Sequence, residues 1–400
     1  MESHHNSSSK FHYPHPPADW DYFYDPIWDL VREYEADERP SKREFLTGQL
    51  LLSDRSVTSS LVKQSAQVAL GKMVDFAALL PEGNHTQLEN FLKFLSPLLF
   101  LESHLSLQSC GATGGLFLAM SWLRGLKMLE RVFISDPSWE NHRHILDMLD
   151  ANIIPFPVDM KHVIGYERML AKISAGDAVL LQPCCHNPTG QSYSDEEWDS
   201  VAENIAASNS TVVFDASYLG FGDGITVDIR PVEKLVEKGC TVILVVGCSK
   251  LFGIYSERVG CVYIFNATNK MLSGSAGMIG IIRGAYSSPP SFGLSIIDEL
   301  IISDKSRITW MQELDLLRDR MNRMRRYLAD KLHEIGFDAP QLRLGKGPFA
   351  ILPITKGQIS KLKTEFGVYL LENGRISFAR ILNERDVDYL VLALKYVICT

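Results

Sequence analysis

No stretch of this chain runs to 18 uninterrupted apolar residues, so no bilayer-spanning helix is expected. The first twenty residues, MESHHNSSSKFHYPHPPADW, lack the apolar core of a secretory signal and read as a disordered tail. A basic excess is missing too. The 40 Lys and Arg stand against 48 Asp and Glu, a net of −8, which leaves no footprint for nucleic acid in the whole-chain balance. Cysteine is sparse, seven in 400 residues, odd in number and without a Cys-x-x-Cys pair. That usage points to reduced thiols and a cytoplasmic address, not to a disulfide framework. The neighbours Cys184 and Cys185 have no matching pair, so no zinc knuckle and no resident metal is expected. Internal repeats are absent, and so are low-complexity segments beyond the tail.

What is there is ordinary globular material, 46% hydrophobic and 22% charged. Four hundred residues suit two or three domains, or one large domain with a satellite. Strand-like runs at 132–134, 178–181, 211–214, 241–246 and 260–265 alternate with helical patterns at 195–208 and 232–238. Such alternation implies crossover units on a largely parallel sheet. After about residue 305 the rhythm changes. Trp310, Leu314, Leu317, Met321, Met324 and Leu328 recur at 4-3-4-3-4 spacing, one face of a long amphipathic helix. Short strands and a final helix at 384–397 follow, as in a smaller α+β unit appended to an α/β one.

Open parallel sheets bind ligands beyond the carboxyl ends of their strands, and four such ends carry reactive side chains. Lys250 follows the 241–246 run; a lysine there is costly unless used or paired, and a Schiff-base role and an exposed loop both remain open. Asp215 ends another run, before Ser217 and Tyr218, where capping a turn, holding a metal and pairing with a cation all remain open. His186-Asn187-Pro188-Thr189-Gly190 has turn chemistry. Gln108 to Gly115 reads as a glycine-containing loop opening a helix, an anion site in principle, but without the P-loop lysine or the GxGxxG pattern.

In order, these segments with SDPSWENH, CCHNPTG, FDASYLGF, SKLFGIYSERVG, IIRGAYSSPP and the early ADERP resemble the fold-type I pyridoxal phosphate aminotransferases, and within them the aspartate aminotransferases, from about residue 20 to 400. The resemblance implies an α/β fold: a large domain at 58–316 with a mostly parallel seven-stranded sheet flanked by helices. A smaller α+β domain would combine 21–57 with 317–400. It also implies pyridoxal 5'-phosphate as cofactor. Lys250 would bond the cofactor aldehyde and shuttle the substrate proton, Asp215 would pair with the ring nitrogen with His142 behind it, and Tyr218 and Asn187 would hydrogen-bond the ring hydroxyl. Trp139 would stack on the ring, while Arg258 and the amides around Ala112 and Thr113 would hold the phosphate. For the substrate, Arg375 would clamp the α-carboxylate, Gly48 would lie over it, and Arg283 would reach across a homodimer to the distal carboxylate of a dicarboxylic amino or keto acid. Transamination of L-aspartate with 2-oxoglutarate is the expected activity.

The departures from the family concentrate on the phosphate. Gly111 stands where the family has Ser, in Gly111-Ala112-Thr113-Gly114 against Ser-Gly-Thr-Gly. Gly247, three residues before Lys250, also replaces a Ser, and Lys72 to Asn84 has Phe76 but no Tyr. Three lost hydroxyls at roughly 1.5–3 kcal/mol each would thin cofactor retention. Three readings therefore stay open: a weakly retaining aminotransferase, a non-catalytic dimeric binding protein, or another pyridoxal phosphate reaction such as racemisation.

Overall fold

The strand-forming runs are apolar on both faces, as a sheet covered on both sides requires. Val132, Ile134, Ala178, Leu180, Val213, Ile243 and Val245 belong to one buried cluster. Their neighbours Phe133, Val179, Leu181, Val212, Phe214, Val242, Leu244 and Val246 belong to the other. Period-two alternation thus splits each strand between two cores.

The computed structural model describes residues 26–52, 57–73, 79–158 and 166–399; the expected tail at 1–20 and Phe76 lie outside them. Its strands in chain order are β1 (Arg43–Glu44), β2 (His104–Cys110), β3 (Val132–Asp136), β4 (Ile153–Pro157), β5 (Ala178–Leu181), β6 (Thr211–Ala216), β7 (Thr241–Gly247), β8 (Val259–Phe265), β9 (Phe349–Ile351), β10 (Val368–Tyr369) and β11 (Arg375–Ser377). Seven form one sheet in the order β2-β8-β7-β6-β5-β3-β4. β3, β4, β5, β6 and β7 run parallel, while β8 is antiparallel to both β7 and β2. The expected mostly parallel seven-stranded α/β sheet is therefore present, and each of the five strands expected from sequence forms within it.

The helices follow their local signals. Asp195–Ser208 opens on a reciprocal cap between Ser194 and Glu197 and ends at the left-handed Asn209. Its Trp198, Val201 and Ile205 are buried. The second expected helix spans Arg230–Glu237, and the last spans Glu384–Cys399. The long amphipathic pattern is one unbroken helix, Asp304–Glu334, with Trp310, Leu314, Met321, Met324 and Leu328 inward. No helix among the described residues is long and apolar enough to cross a membrane.

One expectation is corrected. Gln108 to Gly115 is not a loop: β2 runs to Cys110 and the helix Gly111–Gly125 starts at the next residue. Gly111 makes the junction at φ +70°, a left-handed conformation that glycine adopts without strain. Away from the main sheet, β1 pairs in parallel with β10, and β9 pairs antiparallel with β11. Residues from both ends of the chain thereby meet in the first of these short ladders, while the second joins two C-terminal strands.

Candidate active site

The sheet topology explains why distant residues share one edge. The parallel strands β3, β5, β6 and β7 end there and release Trp139, Asn187, Asp215 with Tyr218, and Lys250 in turn. β8 runs the other way, so Arg258, immediately before it, reaches the same edge from the opposite sequence direction. A cavity of about 590 Å³ opens at this edge. It is lined by Lys250, Asp215, Tyr218, Asn187, Trp139, Gly48 and Arg375 among others. These seven residues, singled out from sequence, are brought together. Ala112, Thr113, Arg258 and Arg283 do not line it among the described residues.

Asp215 is the most heavily supported of these side chains. Its Oδ2 accepts from His142 Nε2 at 2.9 Å and its Oδ1 from Ser217 Oγ at 2.5 Å. Because a carboxylate only accepts, the proton of His142 is assigned to Nε2, leaving Nδ1 to accept from Ser138 Oγ at 2.9 Å. Burial pushes the Asp215 carboxyl up, but His142, Ser217 and Lys250 together outweigh it and hold the group below the usual carboxylate range. The result is a negative charge buried in the floor of the cavity.

Lys250 lies in the short helix Cys248–Phe252 that follows β7. Burial pushes its amine below the ordinary lysine range; Asp215 opposes this and Arg258 adds to it. Nζ sits 4.9 Å from the centre of the Tyr218 ring. For Tyr218, burial raises the phenol far above its usual value, so its hydroxyl stays a donor. The Trp139 ring meets His142 edge-on at 5.2 Å. Arg375 is 5% exposed; its Nη1 donates to Asn187 Oδ1 at 3.1 Å, its Nη2 to Leu46 O at 2.7 Å, and its guanidinium lies 4.4 Å over Phe349. Gly48 is a glycine by close approach: a Cβ there would meet Phe349 Cζ at 2.8 Å and Tyr218 Oη at 3.0 Å.

Beyond this cavity lies the N-terminus of the helix Gly111–Gly125, with Ala112 and Thr113 in its first turn and no side-chain cap on its free amides. Arg258, left-handed at φ +53°, folds over it: a Cβ on Gly111 would stand 2.6 Å from Arg258 Nη2. Arg258 Nη1 donates to Ser249 Oγ at 3.3 Å and to Tyr255 O at 3.0 Å. A helix N-terminus beside a guanidinium suits a phosphate. The two departures at 112 and 247 prove to be neighbours: a Cβ on Gly247 would lie 3.0 Å from Ala112 Cβ and 3.2 Å from Ser217 Oγ. A methyl at 112 therefore occupies the space that a side chain at 247 would need. The residue set fits pyridoxal phosphate: a buried amine depressed in pKa, a buried carboxylate kept ionised, and an uncapped helix start next to an arginine.

Several contributors were missed from sequence. Ser217 was visible in Asp215-Ala216-Ser217-Tyr218 but carried no distinguishing spacing. Phe349, Glu44 and Arg380 also line the cavity, and only tertiary structure brings them there. Arg283 is on the exposed side of the helix Ser275–Ala285, where its Nη1 donates to Ser287 Oγ at 2.5 Å.

Comparison with known proteins gives the same answer as the geometry. The family model for "Aminotransferase class I and II" matches residues 45–394. The tyrosine aminotransferase of Klebsiella pneumoniae is 30% identical over 387 residues, covering 92% of this chain and 96% of its own. The aspartate aminotransferase of Escherichia coli K12 is 30% identical over 369 residues, covering 89% and 93%. An aromatic-amino-acid aminotransferase from Burkholderia pseudomallei, solved covalently bound to pyridoxal phosphate, superposes with a TM-score of 0.87 at 30% identity, over 98% of both chains. Of the three readings left open by the sequence, these relatives support an aminotransferase. With a lysine, a carboxylate and an arginine converging on one sheet edge and a match of this extent, the chain belongs to the class I and II aminotransferases and is a pyridoxal-phosphate-dependent enzyme of that family.

Proposed function

We propose that this aminotransferase moves the amino group of L-aspartate to 2-oxoglutarate, giving oxaloacetate and L-glutamate. The observation that carries the proposal is the single cavity shared by Lys250, Asp215 and Arg375. When bound, pyridoxal phosphate supplies an electron sink for the bonds at the substrate's Cα. Lys250, Asp215, Tyr218, Asn187, Trp139, Arg258, Thr113 and the amides near Ala112 would hold it. Lys250 takes and returns the Cα proton, for which its depressed amine pKa favours the free base. Asp215 keeps its negative charge for the ring nitrogen, and His142 and Ser217 fix that charge in place. Arg375 grips the substrate α-carboxylate with its planar fork, already aimed by Asn187 and Leu46.

The dicarboxylate preference rests on Arg283. It lies outside the cavity of its own chain, so it serves substrate only in a homodimer, from the neighbouring copy. Exposed Val68 and Leu70 on the helix Ser60–Lys72 give apolar surface for such an association. We keep the division into 58–316 and 21–57 with 317–400 as part of the same proposal; the pairing of β1 with β10 supports it. A cytoplasmic site of action accords with the seven cysteines, of which Cys110, Cys184, Cys185, Cys240, Cys248 and Cys261 are free.

A second reading has its own observation. Ile27, Trp28, Val31 and Tyr34 form an apolar flank of the cavity, which suits aromatic side chains. Steady-state turnover with 2-oxoglutarate, comparing aspartate with phenylalanine and tyrosine, decides between them. We expect the higher kcat/KM for aspartate; a clear preference for the aromatic donors would replace the first reading by the second.

A further inference from the structure

Three cationic side chains line the cavity, Lys250, Arg375 and Arg380. The third holds neither the cofactor nor the substrate α-carboxylate. Arg380 closes the 3-10 turn Phe378–Arg380 that follows β11, and its Nη2 lies 2.7 Å from Glu44 Oε2. Glu44 is in β1, only 9% exposed, and its other oxygen accepts the backbone N–H groups of Leu46 at 3.1 Å and Thr47 at 2.8 Å. The carboxylate is thus fully used, while Arg380 is held by one of its several donors. Among the described residues no second ion pair of Arg380 is found, and its other electrostatic neighbours are the phenols of Tyr34 and Tyr255.

Thr47 provides an independent sign. Its Oγ1 is buried without a hydrogen-bond partner, and the residue lines the same cavity. A buried hydroxyl left unpaired is costly unless a ligand completes it. Thr47 and Arg380 are both tied to the Glu44 carboxylate, one to each oxygen. One end of the cavity therefore sets a guanidinium beside a residue whose hydroxyl is unpartnered, while both oxygens of the adjoining Glu44 carboxylate are already engaged. A buried ion pair alone adds little net stability, and a merely structural pair would not need an orphan hydroxyl beside it.

We propose that Arg380, aimed by Glu44 and flanked by Thr47, is a specificity-determining residue that binds the distal carboxylate of a dicarboxylic substrate from within the same chain. This rests on the dicarboxylate reading and assigns part of it to this protomer instead of the neighbouring copy alone. Substrates with apolar side chains make no use of Arg380.

The test uses the full-length, cofactor-loaded protein and two unreactive probes, succinate and butyrate, titrated by the fluorescence of Trp28 and Trp139 in the cavity wall. Arg380→Met combined with Glu44→Gln removes the guanidinium without stranding a buried carboxylate. The expected result is a succinate Kd weakened about 10- to 100-fold, an unchanged butyrate Kd, and partial recovery in Arg380→Lys. Thr47→Val, a near-isosteric change, should weaken succinate by several-fold alone and covers the case in which the double variant does not fold. Equal weakening of both probes, or unaltered succinate binding, overturns the assignment. Turnover of aspartate by the wild-type protein tests the broader reading separately, since the titration needs no turnover.

Discussion

At the scale of single residues, the chemistry rests on two charge states, one set by burial at Lys250 and one held against burial by the neighbours of Asp215. Lys250 is drawn below its ordinary range and Asp215 is kept below its own, so base and counter-charge coexist in one buried site. Lys250→Ala should lower kcat by about 10³ or more and remove the visible band of lysine-bound cofactor; retention of both would dismiss the assigned role. His186 makes a different prediction. It bonds Ser135 Oγ and Thr189 Oγ1, both at 2.8 Å, and burial pushes it down to about 3. Its folded pKa lies below the unfolded value, so between about 6.5 and 3 the unfolded chain binds more protons. Stability therefore falls as pH drops through that window, by about 2 kcal/mol at pH 5. Denaturant melts of wild type and His186→Asn at pH 7 and pH 5 should show a smaller acid loss in the variant. The residues at strand ends were legible because strand ends are where this kind of sheet places ligands. Glu44 and Arg380 were not, since 336 positions separate them and neither carries a local signal.

At the scale of elements, the central strands announced themselves by continuous apolar runs, and two outer ones did not. β4, Ile153–Pro157, contains two prolines, which a strand tolerates at the sheet edge where it lies. β2 alternates polar and apolar residues and passes into a helix with no intervening turn, so its last residues resembled a loop. That junction also reinterprets the altered phosphate cradle. Ala112 and Gly247 behave as one packing exchange. Gly247→Ser alone should destabilise the protein by about 1–3 kcal/mol through crowding against Ala112. Adding Ala112→Gly should remove most of that cost and tighten cofactor retention about tenfold through the new hydroxyl. Equilibrium dialysis and thermal melts of the two single variants and the double variant measure the coupling. Additive effects would show that the two positions do not share their space.

At the scale of the whole molecule, the proposed homodimer has Arg283 of one copy serve the Lys250 site of the other, and this is open to a complementation experiment. Lys250→Ala dimers should be inactive, and Arg283→Ala dimers should show a KM for aspartate raised at least about tenfold. Mixed and reassociated in equal amounts, the two should regain about a quarter of wild-type turnover at low aspartate, because half the dimers are hybrids with one intact site each. No recovery would place Arg283 outside the site. The alternation of strands and helices foretold this architecture, but one sequence could not show which surface meets a second copy. The helix Asp304–Glu334 has a mechanical consequence of its own. At about 1.5 Å per residue it is a rod of roughly 46 Å. Near one end, Trp310 stacks on Phe252 at 4.6 Å; further along, the Arg325 guanidinium lies 4.5 Å over Phe378, beside β11. With no break between these anchor points, displacement of the β9–β11 ladder against the main sheet must load the rod in flexure. Such a displacement would work against the stiffness of one helix, as in a cantilever, together with the bonds from Arg375 to Asn187 and from Lys346 to Gly190.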